Sequence, residues 1–249
     1  MRLTIRCGLA LALVTGLLAG PALAQDLSIN LGGDLAGDGS SLSLRSVQLL
    51  LLITVLSIVP GLAVMVTCFP FIVTVLSILR QAIGLQQAPP NMLIISLSLF
   101  LTWYVMDPVF TQAWVTGIEP LTNGQMELAP ALQAAILPFR EFMALRVDPD
   151  TFLSLADLRP ATAAATPDAA PLSLLVPSFL LSEIQRAFEI GFMIFLPFLI
   201  IDLVVAAILM SMGMMMVPPA VVSLPFKLAF FVVADGWALI TGALVRSYF

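Results

Sequence analysis

The stretch Met210-Ser-Met-Gly-Met-Met-Met-Val-Pro-Pro219 separates two long apolar segments and decides how the second half of the chain folds. It holds five of the twelve methionines and closes with two prolines. Pro218 and Pro219 have no backbone N–H, and each disfavours the helical conformation in the residue before it, so a helix that enters the stretch should stop there. The methionines then lie at the tip of a helical hairpin. We expect this apolar tip to be buried against copies of itself around a symmetry axis.

The composition is that of a membrane-associated protein. Hydrophobic residues make up 60% of the chain, charged residues 10%, and the mean hydropathy is +1.08, whereas a soluble domain has about 25% charged residues. Histidine is absent, which removes the commonest general base and the commonest metal ligand. The net charge of −5 gives no reason to expect a nucleic-acid partner. We expect no enzymatic activity, no cofactor and no metal.

The N-terminal 44 residues are predicted to lie outside the folded core. Residues 1–24 have a basic start, an apolar run and an Ala22-Leu-Ala24 cleavage motif, which together indicate a cleaved signal peptide. The alternative is an uncleaved first helix, for which the apolar run is short. Residues 25–44 are rich in Gly, Ser and Asp and are predicted to form a flexible acidic lead-in.

The rest of the chain predicts an all-α fold of two long kinked helical hairpins with a small helical layer between them. Residues 45–106 form hairpin one, which is uncharged from residue 46 to residue 79. Residues 107–176 are more polar, end in an Ala/Thr/Pro-rich linker, and are predicted to form the small extracytoplasmic layer. Residues 177–249 form hairpin two with the methionine loop. Pro60 and Pro197 are the predicted kink sites, because proline removes a helical hydrogen bond.

Helix boundaries can be predicted from local signals. In hairpin one, Pro60 and Pro70 are expected to bend or break the first helix. In hairpin two, Ser182-Glu-Ile-Gln185 fits a capping box, so the first helix is predicted to begin near Ser178 or Ser182 and to run to about Val217. The remaining predicted helices span residues 126–146, 150–158 and 223–246.

Four charged residues fall in or beside the apolar segments. Asp202, Lys227 and Asp235 would be costly in a lipid-facing helix, so each should face protein, a partner charge or water. These three residues either fix packing and assembly or carry protons along a transport path, and we favour packing. Arg80 lies in the predicted turn of hairpin one. The positive-inside rule places that turn in the cytoplasm.

The methionine cluster has three possible explanations. Met210, Met212, Met214, Met215 and Met216 cannot share one packing face, because consecutive helical residues point about 100° apart. They could seal a pore with flexible thioether side chains, act as ordinary core filler, or bind copper(I). The missing histidines argue against copper, and we favour the seal.

Seven motifs, spread in order from about residue 45 to the C-terminus, carry a resemblance to a known family. They are Phe69-Pro-Phe-Ile-Val-Thr-Val-Leu-Ser-Ile-Leu-Arg80, Gly84-Leu-Gln-Gln-Ala-Pro-Pro-Asn91, Phe188-Glu-Ile-Gly-Phe192, Pro197-Phe-Leu-Ile-Ile-Asp202, Gly213-Met-Met-Met-Val-Pro-Pro219, Ser223-Leu-Pro-Phe-Lys227 and Asp235-Gly-Trp237. Together they resemble the FliP family of flagellar type III export gate proteins. The related injectisome family, SctR, shares the pattern, but the methionine and Asp-Gly-Trp motifs resemble the flagellar branch.

The resemblance implies a function that spacing alone does not. FliP-like proteins form a pentamer that joins FliQ and FliR in a helical export gate, beside FlhB and FlhA. Unfolded flagellar proteins pass through it, with Met214, Met215 and Met216 corresponding to the family's methionine loop. The implied location is the flagellar basal body in the bacterial inner membrane, with much of the assembly on the periplasmic side and the hairpins raised out of the bilayer plane.

Two other classes of protein are compatible with the composition. A secondary transporter also has broken apolar helices and buried charges, but it should show repeat-like broken segments. A membrane scaffold of a secretion complex without a pore would tolerate replacement of the methionines by other apolar residues.

Overall fold

The computed structural model describes residues 40–85, 88–158, 166–214 and 216–249. The predicted signal peptide, most of the lead-in, part of the linker and Met215 lie outside these ranges. Contacts divide the chain into two units, residues 1–51 and 52–249. The regular structure of the described residues is helical, which confirms the all-α prediction.

A short π-helical turn, Trp114–Ile118, interrupts the series of α-helices. The α-helices of the described residues are α1 (Ser40–Met65), α2 (Phe69–Ile83), α3 (Asn91–Ala113), α4 (Glu119–Thr122), α5 (Leu128–Arg146), α6 (Pro149–Ala156), α7 (Leu172–Ser211), α8 (Pro219–Val233) and α9 (Gly236–Arg246).

Helix α2 forms the centre of the second unit. Its side chains at spacings of three and four residues are fully buried, which gives it an apolar surface wide enough to contact several helices. It packs against α3, α7 and α8. At Gly191 of α7, an added Cβ would lie 2.4 Å from Ile78 Cδ1 of α2, so the glycine permits this close approach. The central residues with no exposed surface are Phe71, Ile72, Val75, Leu76 and Leu79.

Hairpin one is broken, as predicted, but the break follows Met65. Helix α1 continues through Pro60 and stops at Met65, and α2 begins at Phe69 with Pro70 in its first turn. Between them, the Thr67 hydroxyl donates to the Val64 carbonyl at 2.7 Å and accepts from the Phe69 N–H at 3.3 Å. A proline in the first turn costs no hydrogen bond, so the Thr67 turn and Pro70 together define the break.

The middle layer contains the two helices predicted there. They span Leu128–Arg146 and Pro149–Ala156, against the predicted 126–146 and 150–158. Pro138 lies inside the first and cannot donate to the carbonyl four residues earlier. The Thr116 hydroxyl lies 3.3 Å from that carbonyl, at Ala134, and 2.9 Å from the Gln112 carbonyl, so its one hydrogen is shared between the two acceptors. The proline is therefore accommodated in the helix.

The boundaries of hairpin two differ from the predictions. Helix α7 begins at Leu172, so the predicted capping box is wrong: Ser182 lies inside the helix, where its hydroxyl donates to the Ser178 carbonyl at 2.7 Å. The helix ends at Ser211, before the expected Val217. The second half starts at Pro219 and bends by 61° between α8 and α9.

Several helices in the described part of the chain are long and apolar enough to cross a membrane. Three qualify singly: Ser46–Met65, the helical run Asn91–Thr122, and Leu172–Ser211. A fourth span results if the bent pair α8–α9 counts as one. At a rise of 1.5 Å per residue, the 40 residues of α7 extend about 60 Å, twice the hydrocarbon thickness of a bilayer.

Candidate functional site

The methionine loop follows a helix end that is set by glycine. Gly213 has φ +75°, a left-handed conformation that favours glycine. The Met214 N–H donates to the Leu209 carbonyl at 2.9 Å, and the Gly213 N–H donates to the Met210 carbonyl at 3.1 Å. This pair of bonds is the Schellman motif, which satisfies carbonyls at a helix C-terminus. The prolines that were expected to stop α7 instead begin α8, with Pro218 as the N-cap residue and Pro219 in the first turn.

The described methionines of the loop are exposed to solvent. Exposure reaches 97% for Met216, and the other described members, Met210, Met212 and Met214, are also exposed. A large flexible apolar side chain gains little stability when it is left in solvent. Core filling therefore does not explain these four residues within one copy of the chain.

A charge pair with a buried lysine and a partly exposed aspartate joins the two halves of hairpin two. Lys227 Nζ of α8 lies 2.6 Å from Asp202 Oδ2 of α7, and the Ser223 hydroxyl donates to Asp202 Oδ1 at 2.5 Å. Lys227 Nζ also donates to the Ala82 carbonyl at 3.2 Å, near the C-terminus of α2. Lys227 is 5% exposed, and a cation is favourable beside the last carbonyls of a helix. The lysine thus connects three helices.

The other two predicted charge positions lie elsewhere. Arg80 donates to the Asn91 side-chain oxygen and, at 3.5 Å, to the Pro89 carbonyl, so it bridges the turn between α2 and α3. Asp235 is exposed, has φ +48° and lies at the break between α8 and α9. Within a single copy of the chain Asp235 therefore faces solvent, one of the surroundings expected for it.

Sequence reasoning missed a second buried charge cluster. Glu183 of α7 is fully buried and lies 3.2 Å from the guanidinium of Arg146 and 3.3 Å from that of Arg186. The Tyr248 hydroxyl donates to its second carboxylate oxygen. The Arg146 guanidinium also lies over the Tyr248 ring, 4.1 Å from the centroid, and donates to the Ser247 carbonyl at 2.8 Å. The cluster connects α5, α7 and the segment after α9.

Burial controls the protonation of two groups next to this cluster. Desolvation raises the pKa of the Cys68 thiol to about 12. Desolvation, followed by the nearby Glu183 carboxylate, raises the pKa of Tyr248 above its ordinary value of 10.0. Both groups therefore stay neutral at physiological pH, and Tyr248 can act as a hydrogen-bond donor to Glu183.

Within the described ranges, no group of three or more Cys, Asp or Glu side chains is arranged to hold a metal ion. The potentially functional features are therefore the protruding methionine loop, the Lys227–Asp202 pair and the Glu183 cluster.

Comparison with known proteins places this arrangement in a family. The model of the FliP family matches residues 52–244. The chain belongs to the FliP family. Three FliP relatives are each named flagellar biosynthetic protein FliP. The protein from Caulobacter vibrioides is 51% identical over 95% of this chain and 88% of its own length. The relative from Pectobacterium carotovorum is 44% identical over 99% and 94%, and the one from Bacillus subtilis is 45% identical over 82% and 92%.

The FliP match spans nearly all of the features described above. It includes the methionine loop, the charge pair of Lys227 with Asp202, and Glu183 with its two arginines. Ser247 and Tyr248 lie beyond the matched residues.

Proposed function

We propose that the chain is a pore-forming core subunit of the flagellar type III protein export gate. The names of its relatives support the flagellar role, and the apolar helices support a place in the bacterial inner membrane. In this proposal five copies surround one channel, with much of each copy on the periplasmic side. The gate acts without catalysis and without a cofactor.

The exposure of the methionine loop carries the proposal. Met216 and its neighbours protrude at a helix end that the Schellman motif fixes. In a ring of copies they would meet at the axis, where an apolar constriction excludes ions by dewetting. Thioether side chains repack easily, so an unfolded segment could displace them and they could close again around it.

The Lys227–Asp202 pair would hold the loop in position. Lys227 connects both halves of hairpin two to the C-terminus of the central helix α2. Asp202 precedes the last residue of α7, Ser211, by nine residues, which is about 13 Å along the helix. We propose that Asp202 and Lys227 serve packing and assembly. Arg80 would stabilise the turn of hairpin one, and Asp235 would face a neighbouring subunit.

The proposed partners come from the family resemblance. FliQ and FliR would complete the helical gate, and FlhB and FlhA would lie next to it in the export apparatus. Unfolded flagellar proteins would be the transported substrates. The exposed apolar side chains of α3 and α7 provide surface for such contacts, among them Phe100, Trp103, Phe188, Phe192 and Leu203.

The deciding experiment removes the proposed seal. Met214, Met215 and Met216 are replaced by alanine, and ion leak across the cell membrane is measured together with assembly of the export complex. We expect leak from an intact assembly. Met92→Ala is the matched control, because Met92 is 75% exposed on α3 and lies outside the loop. A tight membrane with normal assembly and export in the triple variant would overturn the seal.

A further inference from the structure

Helix α5 exposes an apolar groove that ends in a guanidinium with unused donors. We call it the Arg140 groove. It has a volume of about 360 Å³ and is lined by Gln133, Ile136, Leu137, Arg140 and Leu172. Four of these residues are at helical spacings of three, four and seven, so they share one face of α5. Ile136 and Leu137 are 43% and 51% exposed.

The guanidinium of Arg140 is incompletely satisfied. One terminal nitrogen donates to the Ala170 carbonyl, while the buried Nε has no hydrogen-bond partner. Among the described residues no carboxylate forms an ion pair with Arg140. The second terminal nitrogen of Arg140 is not among the buried atoms and donates to no described residue, so an acceptor from outside the subunit can reach it.

The apolar walls restrict the ligand chemistry. A free inorganic anion would lose its hydration against Ile136, Leu137 and Leu172 and gain only one cation. A carboxylate on a surface with exposed leucines forms an ion pair with the guanidinium, while the leucines pack against the apolar walls. The complementary surface is therefore a helix that presents an acid next to apolar side chains.

The chain itself carries such a surface at the C-terminal end of α6. Asp157, the C-cap residue, follows Leu153 by four positions with helical dihedral angles, so both lie on one side of the helix end, and Leu158 follows directly. We call these three residues the Asp157 patch. Both leucines are exposed, at 51% and 76%, and Asp157 is exposed as well. No cation forms an ion pair with Asp157 in the part of the chain that the structure describes.

We infer that the Arg140 groove of one copy binds the Asp157 patch of a second copy, with Arg140 and Asp157 forming an ion pair between subunits. Within one copy these two residues form no ion pair. A contact between two different patches can repeat from copy to copy around a ring. The inference rests on the oligomer in the proposed function and adds an interface between the middle layers.

A paired-cysteine experiment tests the contact. Gln133→Cys in the Arg140 groove and Leu158→Cys in the Asp157 patch are combined in the full chain, which keeps Arg140 and Asp157, and oxidation of membranes is followed on non-reducing gels. Cys68 is fully buried, which favours reaction at the new thiols. We expect a ladder of covalent oligomers beyond the dimer, while each single-cysteine variant gives none. A ladder that stops at dimers, or no product between chains, overturns the inference.

Charge exchange provides a second readout. Arg140→Glu or Asp157→Arg should each weaken self-association by about tenfold, as expected for a buried interfacial charge pair, and the combination should restore it. Glu127→Arg is the control, since Glu127 is exposed outside both surfaces. If the unmodified chain is monomeric, the proposed gate itself fails. If it assembles and the double variant rescues nothing, the interface alone is wrong.

Discussion

Lys227 Nζ lies 2.6 Å from Asp202 Oδ2, across the interface between α7 and α8, and the lysine side chain is almost fully shielded from solvent. The two residues are 25 positions apart, and the hairpin brings them together. Removing Lys227 leaves the partly exposed Asp202 carboxylate without its cation, which is costlier than removing both members of the pair.

Lys227→Met should lower the free energy of unfolding by about 1–3 kcal/mol, the range for losing a hydrogen bond to a charged group, because Asp202 is 32% exposed and keeps water and the Ser223 hydroxyl. Thermal unfolding of the detergent-solubilised protein measures the change. Combining it with Asp202→Leu should recover part of the loss. Arg246→Met is the control, because Arg246 is exposed. Equal stability of Lys227→Met and the unmodified protein would show that the pair contributes nothing.

Tyr248→Phe should destabilise the fold by about 1–3 kcal/mol, since the buried Glu183 carboxylate loses a hydrogen-bond donor while the aromatic ring is retained. The chain has one other tyrosine, Tyr104, which is 65% exposed. Tyr104→Phe should therefore change stability by less than about 0.5 kcal/mol. Equal effects of the two substitutions in the same unfolding assay would contradict a role for the Tyr248 hydroxyl.

Gly213→Ala should cost about 1–2 kcal/mol, the strain of a left-handed conformation for a residue with a Cβ. No atom lies within 4 Å of the added methyl group, so a steric clash is not involved. Gly61→Ala is the matched control, since its methyl group also has nothing within 4 Å but the residue lies inside α1. There alanine should gain about 0.5–1 kcal/mol. The denaturation midpoint of each variant is compared with that of the unmodified protein. If both midpoints shift in the same direction, this explanation is ruled out.

Cys68 should react slowly with a water-soluble maleimide at pH 7–8, because burial raises its pKa to about 12 from 9.0 and the thiolate is the reactive form. The contribution of this neutral thiol to stability is complete below pH 9 and is lost as the pH rises toward 12. Ser154→Cys, at an exposed position on α6, should be labelled quickly. Fast labelling of Cys68 in the folded protein would contradict its burial.

Short-range signals predicted part of the fold well. Helices α5 and α6 appear within two residues of their predicted ends, and Pro70 marks the start of α2. The end of α7 was predicted less well because Gly213 stops the helix before the prolines can act. The capping box failed at Ser182, whose hydroxyl accepts the N–H of Asp148, the N-cap residue of α6, at 2.9 Å. Tertiary contacts outweighed that local motif.

The candidate site was predicted to a similar extent. Asp202 and Lys227 could be singled out because charges are rare in apolar helices, although their pairing required the structure. Glu183 was missed because it was assigned to the capping box, and its partners Arg146 and Tyr248 lie 37 and 65 residues away. A usable signal was present: Glu183, Arg186 and Glu189 lie close together in a helix that is otherwise almost uncharged.

The Glu183 cluster also has a consequence for biogenesis. Arg146 is synthesised before Glu183 and Arg186 directly after it, whereas Tyr248 is synthesised 65 residues later. Until then the carboxylate lacks one of its donors, and the Arg146 guanidinium lacks the aromatic ring on which it lies. The Glu183 cluster is therefore completed only after the last residues of hairpin two have been synthesised, and closure of the subunit becomes a late step of its maturation.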